Sequence, residues 1–184
     1  MGYCASFFTD ATLKMYRFVE EELMYPSRAK IFGHPIHPML VVFPIGLYIT
    51  SFVFDLVYLS TGVPFWFRMA YWTILIGLVG NVAAAIPGFL DYLTLPPNTE
   101  TRQIGTYHMG IGVALAILYF ANLLLREWGI VTESQRPWGV VILNLVGVLL
   151  IGLQGWLGGE LVYRHGVGLE EKEGAAEERF RKVA

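Results

Sequence analysis

A chain of 184 residues that is 55% hydrophobic and only 15% charged, with a mean hydropathy of +0.52, is too apolar for a soluble domain of its size. A net charge of -2 gives no basic surface for nucleic acid, and a single cysteine, Cys4, excludes an internal disulfide or a thiolate metal cluster within one chain. The expectation is an all-α protein embedded in a lipid bilayer.

Taken in order, the first 30 residues mix charged and apolar side chains, unlike a cleavable leader, so the first span is expected to direct insertion. Met1-Gly2-Tyr3-Cys4-Ala5-Ser6 matches a myristoylation pattern that matters only in a eukaryotic cell, and is read as coincidence. From Thr9 to about Met24, Leu13, Met15, Tyr16, Val19 and Leu23 alternate with Lys14, Arg17 and Glu20 to Glu22. This predicts a roughly amphipathic arm along the interface or against another subunit, with a frayed polar arm as the competing reading.

His34 and His37 each precede a proline, which favours extended geometry at both, and Pro38 suits the first helical position. The first span is therefore predicted from Pro38 to about Leu59, kinked by Pro44. Asp55, toward its far end, is read as an acid facing a partner helix or the opposite interface, its depth favouring the interface. A second span is predicted from about Phe65 to Leu93, with interfacial aromatics at its start and Gly80, Ala84 and Gly88 forming a small-residue face. That face allows close helix approach or leaves room for a flat cofactor. Pro87-Gly88 is expected to break or bend the helix one turn before Asp91. A polar loop over residues 96–103 precedes a third span, from about Tyr107 to Leu125, and a fourth runs from Trp138 to about Tyr163.

With four spans, the start of the first, the end of the second, the start of the third and the end of the fourth share one face. His34, His37, His108, His165 and Asp91 then all belong to that face. Ten lysines and arginines fall on the histidine side against Arg68, Arg126 and Arg136 opposite, so the positive-inside rule puts both termini in the cytoplasm. The organisation is an N-terminal arm (1–31), a four-span domain (32–169) and a charged tail (170–184), the last read as solvated.

Gly33-His34-Pro35-Ile36-His37-Pro38-Met39-Leu40, then Ile86-Pro87-Gly88-Phe89-Leu90-Asp91-Tyr92, His108, and Gly155-Trp156-Leu157-Gly158-Gly159-Glu160-Leu161-Val162-Tyr163-Arg164-His165-Gly166 carry a resemblance. Over about residues 32–169 the chain resembles domain of unknown function 2231, a family of bacterial four-span membrane proteins. The resemblance implies a four-helix bundle in a bacterial inner membrane. Because some members are joined to Rieske-type or cytochrome-type domains, it also implies electron transfer near quinones and other membrane redox subunits. The N-terminal arm is longer than the family pattern.

Three functions compete. In the first, His37 and His108 ligate a b-type haem axially, with His165 and Arg164 on the propionates or at a second haem. In the second, His34, His37, His108 and His165 hold zinc, copper or iron, with Asp91 or Glu160 supporting. In the third, the chain is a structural subunit of a respiratory or photosynthetic complex, and the histidines are helix caps at a watery interface. A homo-oligomer is compatible with each. No nucleophile elbow, zinc-protease or phosphate-loop motif is present, no second acid lies deep in the bundle, and Asn81, Asn144 and Gln154 are scattered and uncharged, which argues against a transporter.

Overall fold

The computed structural model describes residues 24–127 and 137–169. The expectations for the amphipathic arm and the charged tail therefore lie outside the described residues. Four long helices follow a short β-hairpin: α1 (Ile36–Thr61), α2 (Pro64–Tyr92), α3 (Glu100–Glu127) and α4 (Trp138–Tyr163). Each is long and apolar enough to cross a membrane. In sequence order each helix packs on the next, and α4 closes the ring on α1. The result is an up-down-up-down bundle with many large apolar side chains on its outer surface, as a bilayer requires.

The hairpin pairs β1 (Lys30–Ile31) with β2 (His34–Pro35) through a turn whose central residues, Phe32 (φ 49°) and Gly33 (φ 80°), both have positive φ. That is the type I′ geometry favoured between antiparallel strands. Upstream, Tyr25 joins the turn after α4 by hydrogen bonds to Gly166 and from Gly168. The entry to the first helix is thereby tied to the exit of the last.

Three expectations about helix ends are corrected. His37 lies inside the first turn of α1, which begins at Ile36, and only His34 is extended. The bias against helix before a proline is overcome because Pro38 still falls in that turn, where its missing N–H costs no intrahelical bond. Next, of the break or bend expected at Pro87-Gly88 the break does not occur: α2 continues through both residues to Tyr92, close to the expected end of the span. Finally, α3 starts at Glu100, about two turns earlier than the apolar run suggests, because Thr101 to Thr106 extend the helix beyond its apolar part. This end is fastened by Arg102, which donates to the carbonyl of Leu95 at 2.6 Å and lies over the Tyr92 ring.

Close approach of α1 to α2 uses the small residues of α2. Gly80 leaves room for Pro44, Gly77 for the Tyr48 ring and Gly88 for the His37 ring. Small side chains serve tight backbone approach in a bilayer, where apolar side chains gain nothing by leaving lipid.

Candidate functional site

At the histidine end, the rings of His37 on α1 and His108 on α3 meet edge to face across the bundle, with centroids 6.1 Å apart and planes at 79°. Both imidazoles are oriented by backbone. The Nδ1 of His37 lies 2.8 Å from the carbonyl oxygen of Ala84 on α2, and that of His108 lies 3.0 Å from the carbonyl oxygen of Gln154 on α4. A carbonyl oxygen only accepts, so each Nδ1 carries the proton and donates it, which leaves Nε2 of the neutral ring with a free lone pair. Each ring also packs on a glycine: a Cβ at Gly88 would lie 2.7 Å from Nδ1 of His37, and one at Gly158 would lie 3.2 Å from Cε1 of His108. Four helices thus fix two imidazoles in one tautomer.

The remaining sequence candidates are held elsewhere. His34 is exposed on β2. His165, just beyond α4, meets the Thr101 hydroxyl through Nδ1 at 3.0 Å, and its Nε2 is buried without a partner. Arg164 is exposed and pairs with Glu160 one turn earlier at 2.6 Å; that hydrogen bond raises the guanidinium pKa above its ordinary value. Asp91 is engaged by the chain entering α1: its carboxylate accepts from Ser27 Oγ at 2.8 and 2.9 Å and from the Arg28 N–H at 2.8 Å. Among the described residues, no group of three or more His, Cys, Asp or Glu side chains is arranged to hold a metal ion.

Because hydrogen bonds to a charged group contribute about 1.5–3 kcal/mol each, Asp91 is the anchor of this entry segment. Asp91→Ala is expected to release residues 27–29, so that limited trypsin digestion cuts at Arg28 sooner than in the parent protein. Equal cleavage rates would show that the carboxylate does not hold the segment.

A second polar cluster lies at the opposite end and decides between the two readings of Asp55: it faces partner helices, and the favoured interfacial reading is corrected. Asp55 is wholly buried. Its Oδ2 accepts from Arg126 of α3 at 2.6 Å and from Asn144 of α4 at 2.5 Å. Arg126 also donates to Asn122 Oδ1 at 2.8 Å and lies over the Phe67 ring of α2, while Asn122 donates to the Val140 carbonyl at 3.0 Å. Asn144 is therefore not scattered but part of a pin through all four helices.

Between the two ends, Tyr48 of α1 and Tyr119 of α3 stack in the core with centroids 3.6 Å apart and planes within 6°. Three pairs across the α1–α3 diagonal follow one another: histidines, tyrosines, then acid and base. His37, Tyr48 and Asp55 are each followed 71 positions later by His108, Tyr119 and Arg126. In α2 and α4 the matching offset is 70. Gly77 and Gly147 pack on the tyrosines, Ala84 and Gln154 accept from the histidines, and Gly88 and Gly158 pack on their rings. The bundle is two similar helical hairpins related by an approximate twofold. The signal was in the sequence as a shared spacing in the first and third apolar runs, but only contact across the diagonal gives it meaning.

A family model described as "Predicted membrane protein (DUF2231)" matches residues 33–171. Comparison with curated proteins and comparison with solved structures each give no match.

Proposed function

We propose that this chain, which belongs to the DUF2231 family of predicted membrane proteins, is a membrane electron-transfer protein that ligates one haem b iron between His37 and His108. The observation that carries this reading is the pair of imidazoles 6.1 Å apart, each held by an Nδ1 hydrogen bond to a helix carbonyl that leaves its Nε2 free. Such a second bond is the usual means of orienting a metal-binding imidazole.

One argument favours a haem over a bare ion. A porphyrin would supply four nitrogens of its own and need only two from protein, whereas zinc sites normally draw three or four protein ligands. The described residues offer two. His165 and Arg164 remain candidates for propionate contact, and a quinone or another membrane redox subunit for the electron partner.

The positive-inside asymmetry supports a cytoplasmic histidine end in a bacterial inner membrane. Arg126 counts little in that balance, since it is consumed by Asp55 inside the bundle.

The test is a reduced-minus-oxidised optical spectrum of detergent-purified protein, with metal analysis of the same sample. One haem per chain is expected, with sharp reduced α and β bands. These should be lost in His37→Ala and in His108→Ala and kept in His34→Ala, with all three variants still inserted. Absence of haem from the parent protein, or retention in both axial variants, overturns the proposal. Stoichiometric copper or zinc without haem would assign the pair to a bare ion. Gly88→Ala supplies an independent check. Its Cβ displaces the His37 ring without removing a ligand, so it should lower haem occupancy while a helix-favouring residue leaves the backbone intact.

A further inference from the structure

Three buried oxygen atoms on the α1–α3 diagonal have no hydrogen-bond partner: the Tyr48 hydroxyl, the Tyr119 hydroxyl and Oδ1 of Asp55. All three residues are at most 1% exposed. An unpaired buried polar group costs about 1–3 kcal/mol, so native proteins keep few of them and normally satisfy them with internal water. Here three occur along one interior, two of them on the stacked rings of Tyr48 and Tyr119, whose centroids lie 3.6 Å apart.

Polar side chains continue the line toward the histidines. Gly77 and Gly147 mark the tyrosine level and Gly88 and Gly158 the histidine level. Asn81 lies four residues from Gly77, and Gln154 four residues from Gly158. At about 1.5 Å per residue, the axial steps are about 6 Å from histidines to Gln154, about 4.5 Å to Asn81 and about 6 Å to the tyrosines. Two hydrogen bonds through one water span about 5.6 Å, so each step is within reach of one water or of the side chains themselves. The Gln154 amide nitrogen faces Gly112 of α3. From the tyrosines to Asp55 is about 10 Å, with the fully buried Ser51 hydroxyl between.

We propose that this interior is a hydrated proton relay that joins the Asp55–Arg126 cluster at one end of the bundle to the histidine end at the other. Each hydroxyl or water accepts a proton on its oxygen as it releases one to the next acceptor. A proton taken up from water at the histidine end passes to Asp55 Oδ1 and is released from there to water at the opposite face. Net charge therefore crosses the bundle while the tyrosines, serine, Asp55 and waters end unchanged, and no oxidant or reductant takes part. Arg126 stays protonated and holds Asp55 in place through Oδ2. The relay faces Oδ1, the atom left without a partner. This inference does not rest on the haem reading, since the line passes to interfacial water at the histidine end whether or not the imidazoles carry iron.

The test uses the full chain in liposomes that enclose a pH-sensitive dye, with a potassium gradient and valinomycin as the driving force. The parent protein should carry protons faster than protein-free liposomes. Tyr48→Phe, Tyr119→Phe and Gln154→Leu should each return the rate to the protein-free level. The two tyrosine variants keep the stacked rings and lose only a hydroxyl that bonds no other protein group, so both should still fold and melt cooperatively, which separates loss of the relay from loss of the fold. Flux in the parent equal to that of empty liposomes, or undiminished flux in both phenylalanine variants, overturns the proposal. Normal flux without haem would defeat the iron site alone, and a normal haem spectrum without flux would defeat the relay alone.

Discussion

Arg126→Ala is expected to lower stability by about 3–5 kcal/mol, the usual cost of leaving one partner of a buried ion pair alone. The loss should be near the upper end. Removal of the guanidinium strands Asp55, which is wholly buried, and also takes from Asn122 Oδ1 its donor and from Phe67 its cation. The measurement is thermal or SDS-driven unfolding of purified protein in mixed micelles. The double variant Asp55→Leu with Arg126→Met should regain more than half of the loss, because a well-packed apolar pair can replace a buried ion pair at little net cost. If the double variant is no more stable than the single one, the cluster matters for its asparagine bonds rather than for its charges.

Gly147→Ala is expected to be the most damaging single-methyl change in the bundle. A Cβ there would overlap the Tyr119 hydroxyl and lie 2.6 Å from Cζ and 2.9 Å from Cε2. The ring cannot retreat, since Tyr48 is stacked on its face and both residues are fully buried. Overpacking of this kind costs about 1–3 kcal/mol or more, against a gain of at most about 1 kcal/mol in helix propensity. Gly152→Ala on the same helix is the control, because its Cβ would meet nothing within 4 Å. That variant should be as stable as the parent or slightly more so. Equal melting points for the two variants would show that the tyrosine stack yields readily and is not a fixed element of the core.

The two effects share an origin. In a bilayer the helices are held by close packing and by polar contacts, not by withdrawal of apolar surface from water. The interior of this bundle is therefore narrow and specialised: stacked tyrosines against glycines, and one ion pair with its asparagines. The apolar outer face is generic by comparison. Substitutions such as Val79 or Leu149 to other apolar residues, at 65% and 66% exposure, touch little but lipid.

Hydropathy by itself determined the four helices, their alternation and the end of the bundle to which each histidine belongs, because a span must be about 20 apolar residues long wherever it packs. It located the fourth span at the residues where α4 is found, Trp138 to Tyr163. It misplaced the start of α3, since the two polar turns from Glu100 lie beyond the apolar run and are fastened by Arg102 and Thr101 instead. It could not foresee that Asp55 and Arg126, in different spans and 71 residues apart, neutralise each other inside the bundle. An ionisable residue near a span's end looks the same in sequence whether it meets water or a buried partner. The same holds for the histidines: four shared an end by topology, but the rotation of each helix about its axis decides which rings face inward. That rotation is set by the contacts of Gly77, Gly88, Gly147 and Gly158 with particular rings, and tertiary packing alone brought His37 and His108 together while engaging Asp91 and His165 with other partners.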